Sequence, residues 1–200
     1  MANVNAVSGL SPNGTVTGAP FNEQGILYAI ANDASNTYAI GDVVKSALGN
    51  DANGVALVTK AAATDVPLGV IVSIRVANPG VSLAGTNIDL GKLYISLSSG
   101  SYSYVYVVTD PNVVYQVQAN ASADTKVGST AVPTIVANQT STLSQSSPFS
   151  STYVTADAAA TAASMFQIIG MFQEPTNVPG AYNNLLVVFN RHQYKQAFGA

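Results

Sequence analysis

Catalysis in this chain would have to start from a single histidine. His192 stands in Asn190-Arg191-His192-Gln193, just past the last strand-like run. A Ser-His-Asp arrangement needs a histidine base held by a carboxylate, so any such proposal must use this one residue. A solvated or hydrogen-bonded histidine at a strand end is the simpler reading. With no cysteine in the chain, thiolate zinc sites, disulfides and Cys nucleophiles are excluded. Calcium would need grouped acids, whereas Asp33, Asp42, Asp51, Asp65, Asp89 and Asp110 stand singly and form no DxDxDG-type loop. Two distant carboxylates could in principle meet for glycoside cleavage, but acids in turns are accounted for by turn chemistry. No phosphate-cradling glycine loop is present. The residues point to a protein that is not an enzyme, with no metal and no cofactor.

The most distinctive local pattern is Tyr102-Ser103-Tyr104-Val105-Tyr106-Val107. A period of two places Tyr102, Tyr104 and Tyr106 on one face of a strand and Ser103, Val105 and Val107 on the other. Such a stripe can be a half-buried sheet face whose hydroxyls reach water. It can also be a contact surface, where tyrosine is enriched, so these three tyrosines are the candidate interface. Stacking on a sugar is a third reading.

Charge is the outlier in composition. Only 8% of the 200 residues are charged, with a net charge of −3, while 48% are hydrophobic; an ordinary soluble domain carries roughly 25% charged residues. The apolar fraction supports a real core, so Ser, Thr, Asn, Gln and Tyr must cover the solvated faces. The seven basic residues are spread thinly and form no patch, which argues against nucleic acid. The N-terminus does not read as a secretory signal, and the apolar runs are too short to span a bilayer, which argues against a membrane partner and for synthesis in a cytoplasm.

These residues must be positioned by strands. Short Val/Ile/Tyr runs recur between turn residues: 26–31, 38–45, 55–60, 67–76, 88–97, 101–109, 113–119, 133–137, 166–172 and 185–190. This spacing predicts an all-β fold, a single β-sandwich or jelly-roll-like domain over 26–200. Residues 1–25, rich in Asn, Ser, Gly and Pro, read as an irregular N-terminal arm outside the core. Asp110-Pro111-Asn112 suits a type I turn, predicting a hairpin between 101–109 and 113–119. The stretch 139–153 reads as a long loop. Ala-rich 156–164 admits one short helix with Thr155 as its N-cap.

In order along the chain, several segments resemble the head decoration, or cement, proteins of tailed bacteriophages. They are Ala39-Ile40-Gly41-Asp42-Val43-Val44, Pro67-Leu68-Gly69-Val70-Ile71-Val72, the run from Tyr104 through Asp110-Pro111-Asn112 to Gln118, Phe166 to Met171, and Val187 to Tyr194 with its Asn190-x-His192-x-Tyr194 ending. The chain departs from that pattern with Tyr115 in place of a more usual Phe, and with Thr109 where an acid often precedes the DP pair. The resemblance implies a non-enzymatic virion protein on the capsid exterior that docks on the assembled major capsid protein and clamps neighbouring capsomers. The expected partners are this capsid protein and further copies of the chain itself, as a dimer or trimer. A tail or fibre protein and a carbohydrate-binding β-sandwich are the alternatives.

Overall fold

The computed structural model describes residues 3–22, 24–30, 36–75, 94–96, 103–120, 127–128, 130–134, 149–156 and 164–195. The strands in chain order are β1 (Ser11–Thr15), β2 (Ile26–Ile30), β3 (Thr37–Ala39), β4 (Val43–Asn50), β5 (Ala56–Lys60), β6 (Gly69–Arg75) and β7 (Tyr94–Ser96). They continue with β8 (Ser103–Val108), β9 (Val113–Gln118), β10 (Thr130–Thr134), β11 (Tyr153–Ala156), β12 (Phe166–Met171) and β13 (Asn184–Phe189). The fold is all-β. Among the described residues no helix is long and apolar enough to cross a membrane.

Two bodies of sheet share the chain. Strands β2-β5-β4-β6-β8 close into a barrel, and a six-stranded sheet runs β1-β9-β13-β12-β10-β11. Ala119 bridges Val154, and the Asn120 amide donates to the Val154 carbonyl at 3.0 Å. This brings β11 round to the far end of β9, so the larger sheet curls toward closure. The short β3–β7 pair is a separate two-stranded sheet.

The burial pattern of each strand follows from what covers its two faces. In β12, Phe166 and Ile168 are buried while Gln167 and Ile169 are exposed, the alternation of a half-buried strand. Strand β8 shows no such alternation. Val105 and Val107 join Tyr28, Ile30, Val44, Val58 and Ile71 in a core contributed by all five barrel strands. Val108, on the opposite face, enters a second core with Val43 and Val70 of the barrel and Tyr115, Val117, Phe166, Leu185 and Phe189 of the sheet. The barrel wall thus packs against the sheet, as in a sandwich, and a strand buried on both faces reads as a nearly continuous apolar run. Among the described residues the strand order is that of a barrel beside a sheet.

Three expectations are corrected. Residues 101–109 and 113–119 do not form a hairpin. The Asp110 turn is there, with the Asn112 amide on Asp110 Oδ1 at 2.8 Å, but β8 pairs with β2 and β6 while β9 pairs with β1 and β13. Barrel closure takes both edges of β8, so the turn hands the chain from one body to the other. The N-terminal arm is not irregular throughout: β1 pairs with β9, and Leu10 is buried in the shared core. The arm is tied further by Asn3 Nδ2, which donates to the Val178 and Ala181 carbonyls at 2.8 Å each. Lastly, the 38–45 run is two strands, split at Gly41, whose φ of 90° belongs to the left-handed region that favours glycine. Strand β11 begins inside the expected loop 139–153. The interior of the expected helix, 157–163, lies outside the described residues, as do 76–93 and 135–148.

Candidate functional site: the barrel–sheet junction and its groove

The Gly41-Asp42 turn sits where the N-terminal arm crosses the barrel. A side chain on Gly41 would start about 3.0 Å from Gly9 Cα and the Leu10 amide, and Gly9 itself has a φ of 70°. Two glycines back to back let the chains touch, and the Leu10 amide donates to the Gly41 carbonyl at 3.0 Å. The turn aims Asp42 inward. Its Oδ2 meets Lys60 Nζ at 3.0 Å and accepts the Ala39 amide at 2.9 Å, while Oδ1 accepts the Ser150 hydroxyl.

The Lys60 and Asp42 side chains are 3% and 0% exposed. The lysine also donates to the Thr37 carbonyl at 2.9 Å, and Ser150 Oγ lies 2.8 Å from Thr152 Oγ1. Burial pushes the Lys60 pKa below the usual lysine value, with the Asp42 carboxylate opposing. A lysine with a weakened proton beside a serine could serve as a base, but neither Lys60 nor Asp42 lines the groove described below. The arrangement is structural: it ties the Gly41-Asp42 turn, β5 and the 149–152 segment through one buried charge pair.

The terminal segment crosses the same junction. The Asn190 amide donates to the Met165 carbonyl at 2.9 Å on the sheet side. On the barrel side the Gln193 amide donates to the Pro67 carbonyl at 2.9 Å, and Gln193 Oε1 accepts the Ser46 amide at 3.2 Å. Strands β4 and β6 pair only at Val43–Val70 and Val44–Gly69, so Gln193 fills the seam where they part. His192 is fully buried between Phe189 and Tyr194, with ring centroids at 5.3 and 5.6 Å. The sequence placed it at a strand end, solvated or hydrogen-bonded; it is buried, and its Nδ1 accepts the Tyr194 amide at 3.1 Å.

Beside the junction lies a groove of about 1340 Å³ between the N-terminal arm and the barrel, walled by Phe21, Ile26, Val72, Tyr106 and Phe149 with Asp110 at one side. Ile26 and Phe149 are 54% and 47% exposed there. Among the described residues, Asp110 and Tyr106 are its only ionisable groups.

The three candidate tyrosines are separated. Tyr102 lies outside the described residues. Tyr106 is half-buried in the groove wall, with its hydroxyl accepting from Arg75 Nη1 at 3.3 Å. Tyr104 is 1% exposed, so it cannot present a contact or stacking face. The alternation holds, with Val105 and Val107 in the barrel core, but the turn between β4 and β5 covers the tyrosine side. Tyr104 OH donates to Asp51 Oδ2 at 2.5 Å, and Asn53 Nδ2 donates to the Tyr104 oxygen at 3.3 Å.

Burial alone would raise the Asp51 pKa. Hydrogen bonds from Tyr104, the Val55 amide, and the Asn53 side chain and amide outweigh it and hold the carboxyl at about 2. Tyr104→Phe is therefore expected to raise the Asp51 pKa toward the ordinary carboxylate range, seen by NMR titration of its carboxyl carbon. Because the folded pKa is the lower one, this contribution to stability is present above pH ~4 and lost as pH falls toward 2. The variant should lose less stability than the parent over that window. An unmoved Asp51 titration would show that the turn amides suffice alone.

Among the described residues no group of three His, Cys, Asp or Glu could hold a metal ion. Asp42, Lys60, Ser150 and His192 are the residues that the fold concentrates at the junction. No family model, no curated protein and no solved structure matches the chain.

Proposed function

We propose that the chain is a virion structural protein without catalytic activity, which binds the assembled capsid lattice of a tailed phage from outside and stabilises it. One observation carries the reading. The segments that resemble cement proteins are far apart in sequence, yet most of them meet at one place. The Gly41 amide donates to the Ile71 carbonyl at 2.8 Å, the Ile71 amide to the Asp42 carbonyl at 2.9 Å, and the Gln193 amide to the Pro67 carbonyl at 2.9 Å. Phe166 and Phe189 stack at 5.1 Å beside His192. Residues that build one junction are those a shared architecture would keep in order, and the charge-poor surface suits contacts that salt screens little.

A protein that binds only the assembled lattice adds its binding energy to the shell and not to loose subunits. Many modest contacts repeated over a lattice then act together. The test uses particles of the phage that carries this chain, with and without it. Expected are copy numbers on the scale of the lattice, binding to mature heads and not to free capsid subunits, and DNA release at a lower temperature when the protein is missing. A handful of copies confined to tails would favour the tail or fibre reading. Equal heat resistance of both particles would overturn stabilisation.

A further inference from the structure

The single histidine sits where a proton would break the junction. Nδ1 accepts the Tyr194 amide, so the neutral ring carries its proton on Nε2. An imidazolium has N–H groups on both nitrogens, and the new one would point at the Tyr194 N–H. The ring is fully buried, and Nε2 makes no well-formed hydrogen bond that could hold a charge.

The surroundings do little to compensate. Lys195, in the same segment, opposes a positive charge, and Asp110, in the turn between β8 and β9, favours one. The Leu68 backbone, ahead of β6, also favours the charged ring. Tyr194 packs against the ring, with its hydroxyl 3.2 Å from that of Tyr28 on β2. Burial outweighs the favourable neighbours and holds the His192 pKa below its ordinary value.

We infer that residues 190–195 are an acid-sensitive latch: protonation of His192 expels the segment from the seam between β4 and β6. On the sheet side the segment is tied by the Asn190 amide to Met165 and by Asn190 Nδ2 to the Ser164 carbonyl at 3.0 Å; the bonds beyond it include those of Gln193 to Pro67 and Ser46, the contact of Tyr194 with Tyr28, Arg191 Nη1 to the Thr64 carbonyl at 3.2 Å and Lys195 Nζ to the Phe189 carbonyl at 3.3 Å. The open segment has an ordinary histidine. Below pH ~6.5 the opening constant therefore rises up to about tenfold per pH unit, until the pH passes the folded pKa. The latch stands on this geometry and does not depend on lattice binding.

The test is an NMR pH titration of the full chain, whose single histidine gives an unambiguous imidazole signal. Expected is a His192 midpoint below the ordinary value, with the Gln193 and Tyr194 amide signals changing at that midpoint while those of Tyr115 and Val187 hold. In His192→Asn, the side-chain oxygen can still accept the Tyr194 amide but cannot titrate, so the tail signals should stay flat over the same range. The latch is overturned by an ordinary His192 midpoint with unmoved tail amides, or by tail changes that persist in His192→Asn. It is also overturned if tail and core signals change together. Should His192→Asn not fold, the coincidence of midpoints in the parent protein decides.

Discussion

Lys60→Met is expected to lose about 3–5 kcal/mol, the usual cost of breaking a buried ion pair by removing one partner. The loss should appear as a lower urea midpoint with little change in slope. The cause lies with Asp42, whose side chain is 0% exposed and would lose the lysine 3.0 Å away. The Ser150 hydroxyl and Ala39 amide still donate to it, which limits the loss but supplies no countercharge. Asp42→Asn is expected to cost less, because Lys60 already holds its proton weakly and can shed it. That cost should shrink as pH rises toward the ordinary lysine pKa, since the folded value is the lower one and the penalty falls on the charged form. The double variant removes both charges, and its loss should be clearly smaller than the sum of the single losses. Additive losses would mean that the two side chains do not form a coupled pair.

The strands were legible where burial alternates or where β-branched runs are bounded by turn residues. Runs 26–31, 55–60, 113–119 and 185–190 coincide with β2, β5, β9 and β13 to within a residue or two. Pairing was not legible. Asp110-Pro111-Asn112 fixes a local reversal of the chain, but the partners of β8 are set by barrel closure, which depends on distant strands. Strand β1, Ser-Pro-Asn-Gly-Thr, carries no strand propensity of its own. It is extended because β9 offers it an unpaired edge, a case of tertiary context overriding local preference. Strand β11 is hidden for a similar reason among Ser, Thr and Ala residues, where its pairing with β10 holds it.

The junction was only partly readable. Gly41-Asp42 stood out as a motif, but nothing in the spacing of residues 42, 60 and 150 says that they meet, and a lysine in a strand reads by default as solvated. His192 lies between Phe189 and Tyr194, and that aromatic flanking was the available sign of burial. For the tyrosine stripe, alternation gave the correct face, since Val105 and Val107 line the barrel core. What covers Tyr104 is the Asp51 turn, some fifty residues earlier in the chain.

Phe189→Ala is expected to cost about 3–5 kcal/mol, as large-to-small changes at buried aromatic positions do. The side chain is 1% exposed and its ring meets three others: Phe166 stacked at 5.1 Å, Tyr115 edge-on at 5.3 Å and His192 tilted at 5.3 Å. Aromatic contacts of this kind add roughly 0.5–1.5 kcal/mol each beyond the area they bury. The void would open in the core shared by sheet and barrel, where Val43, Val70 and Val108 approach from the barrel side. Phe189→Leu keeps more of the volume and should lose clearly less. The alanine variant also carries a second signature. Removing one wall of the His192 site admits water to the imidazole, so its pKa should rise toward the ordinary value, and acid should open the terminal segment at a higher pH than in the parent. A large stability loss with an unchanged His192 midpoint would mean that Phe189 supports the core but does not shield the histidine.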